Sequence, residues 1–421
     1  MPRGEALRGK FIVEGLAGKK TLQGEVSVRG AKNGALKALP ATVLFEDNVR
    51  LENLPEIEDV RRMKELIEGL RSGPVLKKEI AERLRASIVL TGPVLARYGE
   101  AVFPYPGGCV LGERPIDLFL QGFRALGAEI EEKDDIFYVR AKDKKLKGAR
   151  IFFPFISVTA TETLMLAATL ADGETVLQNA AMEPEISVLA SYLNASGARI
   201  EGAGTPTITI TGTSGTLLHS RGRPFFVPPD RIEAGSFVIL SALAGKEVKV
   251  TNCEHLHMSA LLAVMRRADV DFKVEKDSVT IYGGHKPNSA YKMISVRTHE
   301  YPGFPTDLQA PMAVFMSQSS GEGTLLETIF DGRFRYVDEL VRMGADITVM
   351  NPHKIIVRGP SKLSRKELEG PDLRAGLAYI MAATVAEGTS TISNAYVIDR
   401  GYERIEERLQ KLGLNIQREE I

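Results

Sequence analysis

The stretch Pro104-Tyr-Pro-Gly-Gly-Cys109-Val-Leu-Gly-Glu-Arg114-Pro-Ile-Asp117 carries a thiol and a guanidinium five residues apart. Its prolines (104, 106, 115) and glycines (107, 108, 112) stop a continuous helix or a regular strand, so it is read as an ordered or hinged loop. The two glycines before Cys109 leave its sulfur without neighbouring side chains, and Arg114 sets a fixed positive charge near a thiolate or an incoming anion. Those residue types suit proton donation or nucleophilic attack. The other reading of a lone cysteine is a small, buried apolar side chain.

Further cations recur before apolar segments: Lys32, Arg85, Arg231, Arg333, Arg374 and Arg400. Arginine grips carboxylate and phosphate in bidentate fashion, so a cleft that gathers several of them fits a small, multiply charged anion. Taken singly, each is equally readable as a surface or helix-capping side chain. Asp230 (Pro228-Pro-Asp-Arg) and Asp307 (Phe304-Pro-Thr-Asp) precede apolar runs, where an aspartate serves either as an N-cap or as a general base. Cys253, His255 and His257 would share one face of a strand and form a zinc set. Without a second ligand cluster, a strand end followed by a helix is preferred. No Walker loop, GxGxxG or GxSxG motif is present, so no nucleotide cofactor of those kinds is signalled.

The elements that must position these groups repeat. An apolar helix, a short Gly or acidic linker, a β-branched strand and a polar end recur at Ala38–Asn53, Ala86–Pro104, Glu162–Asn179, Gly235–Asn252, Pro311–Thr328 and Gly376–Asn394. A second half-unit, a short amphipathic helix, a turn and two strands, follows most copies, with glycine-equivalent positions at 127, 197, 267, 344 and 413. Six units of about 70 residues fill the chain, and a compact α/β domain of three units, present twice, is their natural packing. Runs without a polar face, such as Thr163–Leu170 and Phe237–Leu243, are expected to be buried on all sides, with helices inside and sheets outside. In the first unit, the link between Gly69 and Leu84 has no room for the usual hairpin. The strands at Lys10–Gly15 and Glu25–Arg29 read as edge strands. Crossings near Gly30-Ala31 and Pro228-Pro229 would divide the chain into residues 32–228 and residues 1–31 with 229–421, the site lying in the cleft between the two domains.

With 421 residues, 44% hydrophobic and 26% charged, the chain is an ordinary globular sequence of two-domain size. Lys+Arg 54 against Asp+Glu 54 gives no net field toward nucleic acid or an anionic membrane. Two cysteines are too few for a disulfide framework, and no apolar run suggests a signal peptide or membrane span, so a cytoplasmic protein is expected.

Gly30-Ala-Lys32-Asn33, Pro106-Gly-Gly-Cys109, Arg114-Pro-Ile-Asp117, Phe304-Pro-Thr-Asp307, Asp372-Leu-Arg374 and Asp399-Arg400-Gly-Tyr together resemble the enolpyruvyl transferase family, in its branch acting on UDP-N-acetylglucosamine. The resemblance spans essentially the whole chain. It implies two inside-out α/β barrels (prisms) of three repeats each, and transfer of the enolpyruvyl group of phosphoenolpyruvate to the sugar 3′-hydroxyl, with phosphate released, in peptidoglycan synthesis. It implies no metal and no organic cofactor. The oligomeric state is left open, a monomer included.

Residue by residue, the resemblance makes Cys109 the group that protonates the phosphoenolpyruvate methylene carbon, forms an adduct with it and reacts with fosfomycin. Asp307 accepts the sugar hydroxyl proton. Lys32, Arg114 and Arg400 hold the phosphate, Arg374 and Arg400 the carboxylate, with Arg333 nearby. Asn33, Arg85, Arg114, Pro115, Asp117, Leu118, Ser157, Val158, Asp307 and Ile329 match UDP-sugar contacts. Phe119, Phe155 and Thr159 depart from the family pattern, standing where relatives carry His, Lys and Gly. The sister transfer to shikimate 3-phosphate and a non-catalytic sugar-nucleotide-binding protein on the same fold are the alternative readings.

Overall fold

The computed structural model describes residues 9–107, 115–285 and 291–420. Cys109 and Arg114 therefore lie outside the described residues. Two compact units divide the chain, one from Gly30 to Pro228, the other from the segments ending at Arg29 and starting at Pro229. Their hydrophobic cores are separate and split at the same points.

Six helices are almost wholly buried, and each leads into a strand. In chain order these pairs are α1 (Lys32–Ala41) with β1 (Leu51–Glu52), α2 (Ser87–Tyr98) with β2 (Glu100–Pro104), α3 (Val158–Thr169) with β3 (Glu174–Gln178), α4 (Arg231–Ala244) with β4 (Gly245–Thr251), α5 (Gln309–Ser317) with β5 (Gly321–Leu326), and α6 (Leu373–Val385) with β6 (Thr389–Ser393). The expected burial on all sides holds: every residue from Ala160 to Thr169 and from Ile232 to Ala244 is buried. Each large aliphatic side chain so removed from water contributes about 1.5–3 kcal/mol. In the second unit α4, α5 and α6 pack on one another, and in the first α2 lies against α1 and α3. The α2–α3 approach is close enough that a Cβ on Gly92 would sit 2.3 Å from the Thr163 carbonyl oxygen.

The sheets share one plan. A central strand has a parallel neighbour on one side and an antiparallel strand on the other. For β3 these are Arg150–Phe152 and Thr207–Thr211. For β4 they are Leu22–Ser27 and Ser278–Ile281. For β5 they are Val296–Arg297 and Lys354–Gly359. β2 has a parallel bridge from Val75 and the antiparallel strand Ile136–Ala141. Beside β6 lie Glu367–Glu369 and, antiparallel, the strand Lys10–Glu14. That last strand also pairs with Ile416–Glu419, so it is central, not the edge strand expected. Its alternating Phe11 and Val13, both fully buried, supply the reason.

β1 departs from the plan. It pairs in parallel with Phe225–Phe226 and, among the described residues, has no antiparallel partner. The short link after Gly69 forms a 3-10 turn and the one-turn helix Lys78–Ala81, so the outer hairpin is absent here. A groove of about 550 Å³ remains, lined in part by Val49, Leu51, Leu54, Ile67 and Leu70.

A single residue type ends most central strands. Asn53, Asn179, Asn252 and Asn394 all adopt left-handed φ (58°, 57°, 53° and 61°), which asparagine tolerates better than most side chains. Their side-chain amides donate to the carbonyls of Val227 (2.8 Å), Phe153 (2.9 Å), Val28 (2.7 Å) and Gly370 (3.4 Å). Thr328 does the same to Thr298 through its hydroxyl at 2.6 Å. Each accepting segment runs on toward the N-terminus of the next buried helix, so these clamps fix where the helices begin. The turn before the outer strands is likewise left-handed, at Gly127, Gly197, Gly344 and Gly413. In the fourth repeat the equivalent is Asp269 (φ 63°) and not position 267, because Arg267 still ends a helix.

Candidate active site

The N-termini of the buried helices carry Lys32, Arg85, Ser157, Asp230, Arg231, Asp307 and Arg374, at ends where N–H groups and the helix dipole favour anions, whereas Arg333 precedes the short helix Val337–Met343 and Arg400 follows a helix C-terminus. In the unit that contains α4, α5 and α6, Asp307 lies in the turn before α5. It caps no helix; its Oδ1 accepts from Arg333 Nη2 at 2.7 Å, and its Oδ2 accepts from Arg374 Nε at 3.2 Å with Nη2 at 3.1 Å. Asp230, in a similar sequence context, is the N-cap of α4, accepting from the N–H groups of Ile232 and Glu233 at 2.8 and 3.0 Å. Asp372 caps α6 through the N–H groups of Arg374 and Ala375.

Burial disfavours a charge on Asp307, but the guanidiniums of Arg374 and Arg333 outweigh it and hold the carboxyl well below the usual range. Both arginines are buried and have second supports. Arg333 Nη1 donates to Thr306 Oγ1 at 2.8 Å, and Thr306 donates to Glu327 Oε2 at 2.8 Å. Glu327, fully buried, also accepts from the N–H groups of Ile329 and Phe330 at 2.9 and 3.1 Å, which fixes the backbone at Ile329. Arg374 Nη1 donates to the Tyr402 hydroxyl at 2.9 Å. Arg231 sits over the Tyr301 ring at 5.4 Å. Arg400 is half-buried just after the helix Ala395–Asp399, and the preceding Asp399 is held by Arg418 at 2.6 and 2.8 Å.

In the other unit Lys32 is the first residue of α1. Its Nζ lies 2.7 Å from Asp59 Oδ2, both side chains nearly buried, which pins the ammonium at the helix start beside the half-buried Asn33. Arg85, just before α2, donates to the Pro106 carbonyl at 3.1 Å and lies 5.9 Å from the Tyr105 ring. Ser157 is the N-cap of α3, accepting from Ala160 N at 3.3 Å, with Val158 half-buried next to it. Pro115 and Asp117 are exposed, Leu118 is half-buried, and Asp117 opens the helix Asp117–Ala125. Phe119 is buried and Phe155 exposed.

Cys253 follows β4 and is 2% exposed, its Sγ 3.6 Å from the Val250 carbonyl oxygen. The chain then turns into the 3-10 segment His255–Met258, so Cys253, His255 and His257 do not share a strand face. No group of three or more His, Cys, Asp or Glu poised for a metal occurs among the described residues. No helix among them is long and apolar enough to cross a membrane.

The sequence profile of the family described as EPSP synthase (3-phosphoshikimate 1-carboxyvinyltransferase) matches residues 16–409. A protein of Koribacter versatilis named UDP-N-acetylglucosamine 1-carboxyvinyltransferase is 43% identical, over 97% of this chain and 96% of its own. The chain belongs to the enolpyruvyl transferase family. Other members similar to it include UDP-N-acetylglucosamine 1-carboxyvinyltransferase 1 of Caldanaerobacter subterraneus, 41% identical over 98% of this chain and 100% of its own. UDP-N-acetylglucosamine 1-carboxyvinyltransferase 2 of Bacillus subtilis is 40% identical over 96% of each. Among solved structures, the enolpyruvyl transferase NikO of Streptomyces tendae has a TM-score of 0.86 at 22% identity, covering 98% of this chain and 99% of that one. EPSP synthase of Acinetobacter baumannii has a TM-score of 0.70 at 17% identity, covering 98% and 100%. These structural likenesses bear on the fold, an α/β architecture shared with enolpyruvyl transferases.

Several polar residues of this enolpyruvyl transferase escape a sequence reading. Lys37 and Glu162, inside otherwise apolar helices, pair at 3.1 Å with both side chains buried, and Glu183 and Glu185 are buried nearby. The available signal was a charge within an apolar run, Leu36-Lys-Ala-Leu and Ala160-Thr-Glu-Thr-Leu. Asp59, Glu327 and Tyr402 gave no local signal, because their partners are distant in sequence.

Proposed function

We propose that this enolpyruvyl transferase moves the enolpyruvyl group of phosphoenolpyruvate onto the 3′-hydroxyl of UDP-N-acetylglucosamine and releases phosphate, the first committed step toward peptidoglycan. One observation carries the reading: a carboxylate gripped by two buried arginines, Asp307 between Arg333 and Arg374, in a chain that aligns end to end with transferases of that name. A site that holds one carboxylate between guanidiniums is preorganised for the carboxylate and phosphate of a small acid.

In the addition step the sugar oxygen bonds to C2 of phosphoenolpyruvate while the C2–C3 double bond takes a proton at C3 from the Cys109 thiol, and Asp307 accepts the hydroxyl proton. In the elimination step C3 returns a proton to the Cys109 thiolate, the C–H electron pair re-forms the C2–C3 double bond, and the C2–O bond to phosphate breaks with its electron pair leaving on phosphate. Lys32, Arg114 and Arg400 stabilise that departing charge, while Arg374 and Arg400 hold the carboxylate with Arg333 alongside. Asn33 orients the sugar, and Arg85, Arg114, Pro115, Asp117, Leu118, Ser157, Val158 and Ile329 contact the nucleotide side. The reading includes a finer architecture, each unit an inside-out barrel, which the buried helices and one-side-buried strands support.

The test is phosphate release from phosphoenolpyruvate with UDP-N-acetylglucosamine present, absent, or replaced by shikimate 3-phosphate. Release that depends on the nucleotide sugar is expected. Release only with shikimate 3-phosphate assigns the sister reaction, and binding without release assigns a non-catalytic role.

A further inference from the structure

The Arg374 side chain is held by two groups of its own unit, Asp307 and Tyr402, and the second has no assigned part in the reaction. Tyr402 is fully buried. Its hydroxyl oxygen accepts from Arg374 Nη1 at 2.9 Å, and its ring lies 5.3 Å from the guanidinium carbon. Behind it, Ser236 Oγ in α4 lies 3.4 Å from the same hydroxyl. Ser236 gives its own hydrogen to the Ile232 carbonyl at 2.8 Å, so its oxygen is the acceptor and the Tyr402 hydrogen points toward it. The remaining side of Arg374 is taken by Asp307, whose Oδ2 meets both Nε at 3.2 Å and Nη2 at 3.1 Å. A guanidinium has five N–H groups in one plane. With Nε and Nη2 turned to Asp307 and Nη1 to Tyr402, that plane is fixed, and among the described residues one N–H on each terminal nitrogen remains to meet a ligand carboxylate.

We propose that Tyr402, backed by Ser236, is a positioning residue for phosphoenolpyruvate: it holds the Arg374 plane so that an incoming carboxylate meets a ready fork. The inference rests on the assignment of Arg374 to the phosphoenolpyruvate carboxylate. Tyr402 touches no substrate in this scheme; it acts through Arg374. Tyr402→Phe keeps the ring and its contact with the guanidinium but removes the hydroxyl. Its loss should therefore weaken capture of one substrate and leave the other alone.

The experiment measures KM for each substrate and kcat by phosphate release, together with calorimetric titration of phosphoenolpyruvate, for wild type, Tyr402→Phe and Ser236→Ala. Tyr402→Phe should raise both the KM and the Kd for phosphoenolpyruvate about tenfold, the usual effect of losing a hydrogen bond to a charged group. The KM for UDP-N-acetylglucosamine should stay within about twofold and kcat within about threefold, and Ser236→Ala should give a smaller rise in the same direction. Should Tyr402→Phe not fold, Ser236→Ala carries the test. Values for phosphoenolpyruvate that match wild type, or equal weakening of both substrates, overturn the proposal. If wild type binds phosphoenolpyruvate but releases no phosphate with UDP-N-acetylglucosamine, the functional reading fails while the titration still decides the role of Tyr402. Wild type that binds no phosphoenolpyruvate ends both.

Discussion

In the proposed scheme Asp307 accepts a proton while two guanidiniums hold it ionised, and these demands pull against each other. A depressed pKa makes the resting carboxylate a weak base, so proton uptake has to coincide with a ligand whose own negative charge takes up part of the positive charge of Arg333 and Arg374. The sign of the pH dependence follows. A carboxylate whose folded pKa lies below its ordinary 3.8 stays charged through the mildly acid range, and the stability from its pairs is lost only as the pH falls further. Between pH 5 and 8 the rate should therefore not drop on account of Asp307. Asp307→Asn should remain folded and lose about 100-fold or more in kcat, the ordinary scale for a positioned base; steady-state phosphate release within threefold of wild type would remove it from that role. The two cysteines make a matching contrast. Burial pushes the Cys253 thiol up to about 11, with Asp277 and Glu254 adding to the rise, which makes it unreactive near neutrality. Fosfomycin should add once, at Cys109 and not at Cys253, and Cys109→Ala should abolish the adduct; peptide mapping by mass spectrometry reads both outcomes.

At the level of elements, the helix starts hold most of the proposed site residues, and the strand-end asparagines set where those starts lie. The sequence made the apolar helices legible, because a run such as Thr163–Leu170 has no face to turn toward water. It did not separate Asp230 from Asp307. Both precede an apolar helix, and only the arrival of Arg333 and Arg374 from elsewhere turns the second from a cap into a charged partner. The Lys37–Glu162 pair yields a stability prediction. Burial raises the Glu162 carboxyl to about 8, Lys37 pulls it back, and Glu185 and Glu183 push it further up. A folded pKa above the ordinary 4.5 means that the protonated form stabilises the fold at low pH, and that this contribution fades as the pH climbs toward 8. Wild type should thus lose stability across that window relative to Glu162→Gln, by up to about 1.4 kcal/mol per pH unit. Thermal unfolding of both proteins from pH 5 to 9 checks this, and parallel curves would mean the site does not titrate there. The bare flank of β1 predicts uneven protection: amides at Leu51 and Glu52 should exchange with deuterium much faster than those at Val176 and Leu177 of β3, which have strands on both sides.

Across the whole molecule the recurrence of one unit was legible because apolar helix, linker and strand keep their order six times. What escaped it was how the chain closes. The strand Lys10–Glu14 fills the place in the last sheet that a hairpin strand takes in the others, a pairing across some 380 residues that no local pattern announces. The two cores meet the chain at adjacent points: Asp230 N donates to the Arg29 carbonyl at 2.8 Å, and Ala31 N donates to the Pro228 carbonyl at 2.7 Å. Excising residues 30–228 therefore leaves ends at Arg29 and Pro229 that a linker of a few glycines can join, since the Arg29 carbonyl already accepts from Asp230, the residue after the new end. The resulting chain would keep Phe11, Val13, Val26 and Val28 in their own core, together with the buried Glu233–Arg408 pair and the Asp307–Arg333–Arg374 cluster. It should fold with one cooperative thermal transition. The complementary piece, residues 30–228, is continuous and holds every member of the other core, so it should do the same by itself. Circular dichroism melts and amide NMR dispersion test both pieces. A fusion that stays soluble yet shows no cooperative transition would mean that the two cores depend on one another, and that the separation of their apolar clusters does not reflect independent stability.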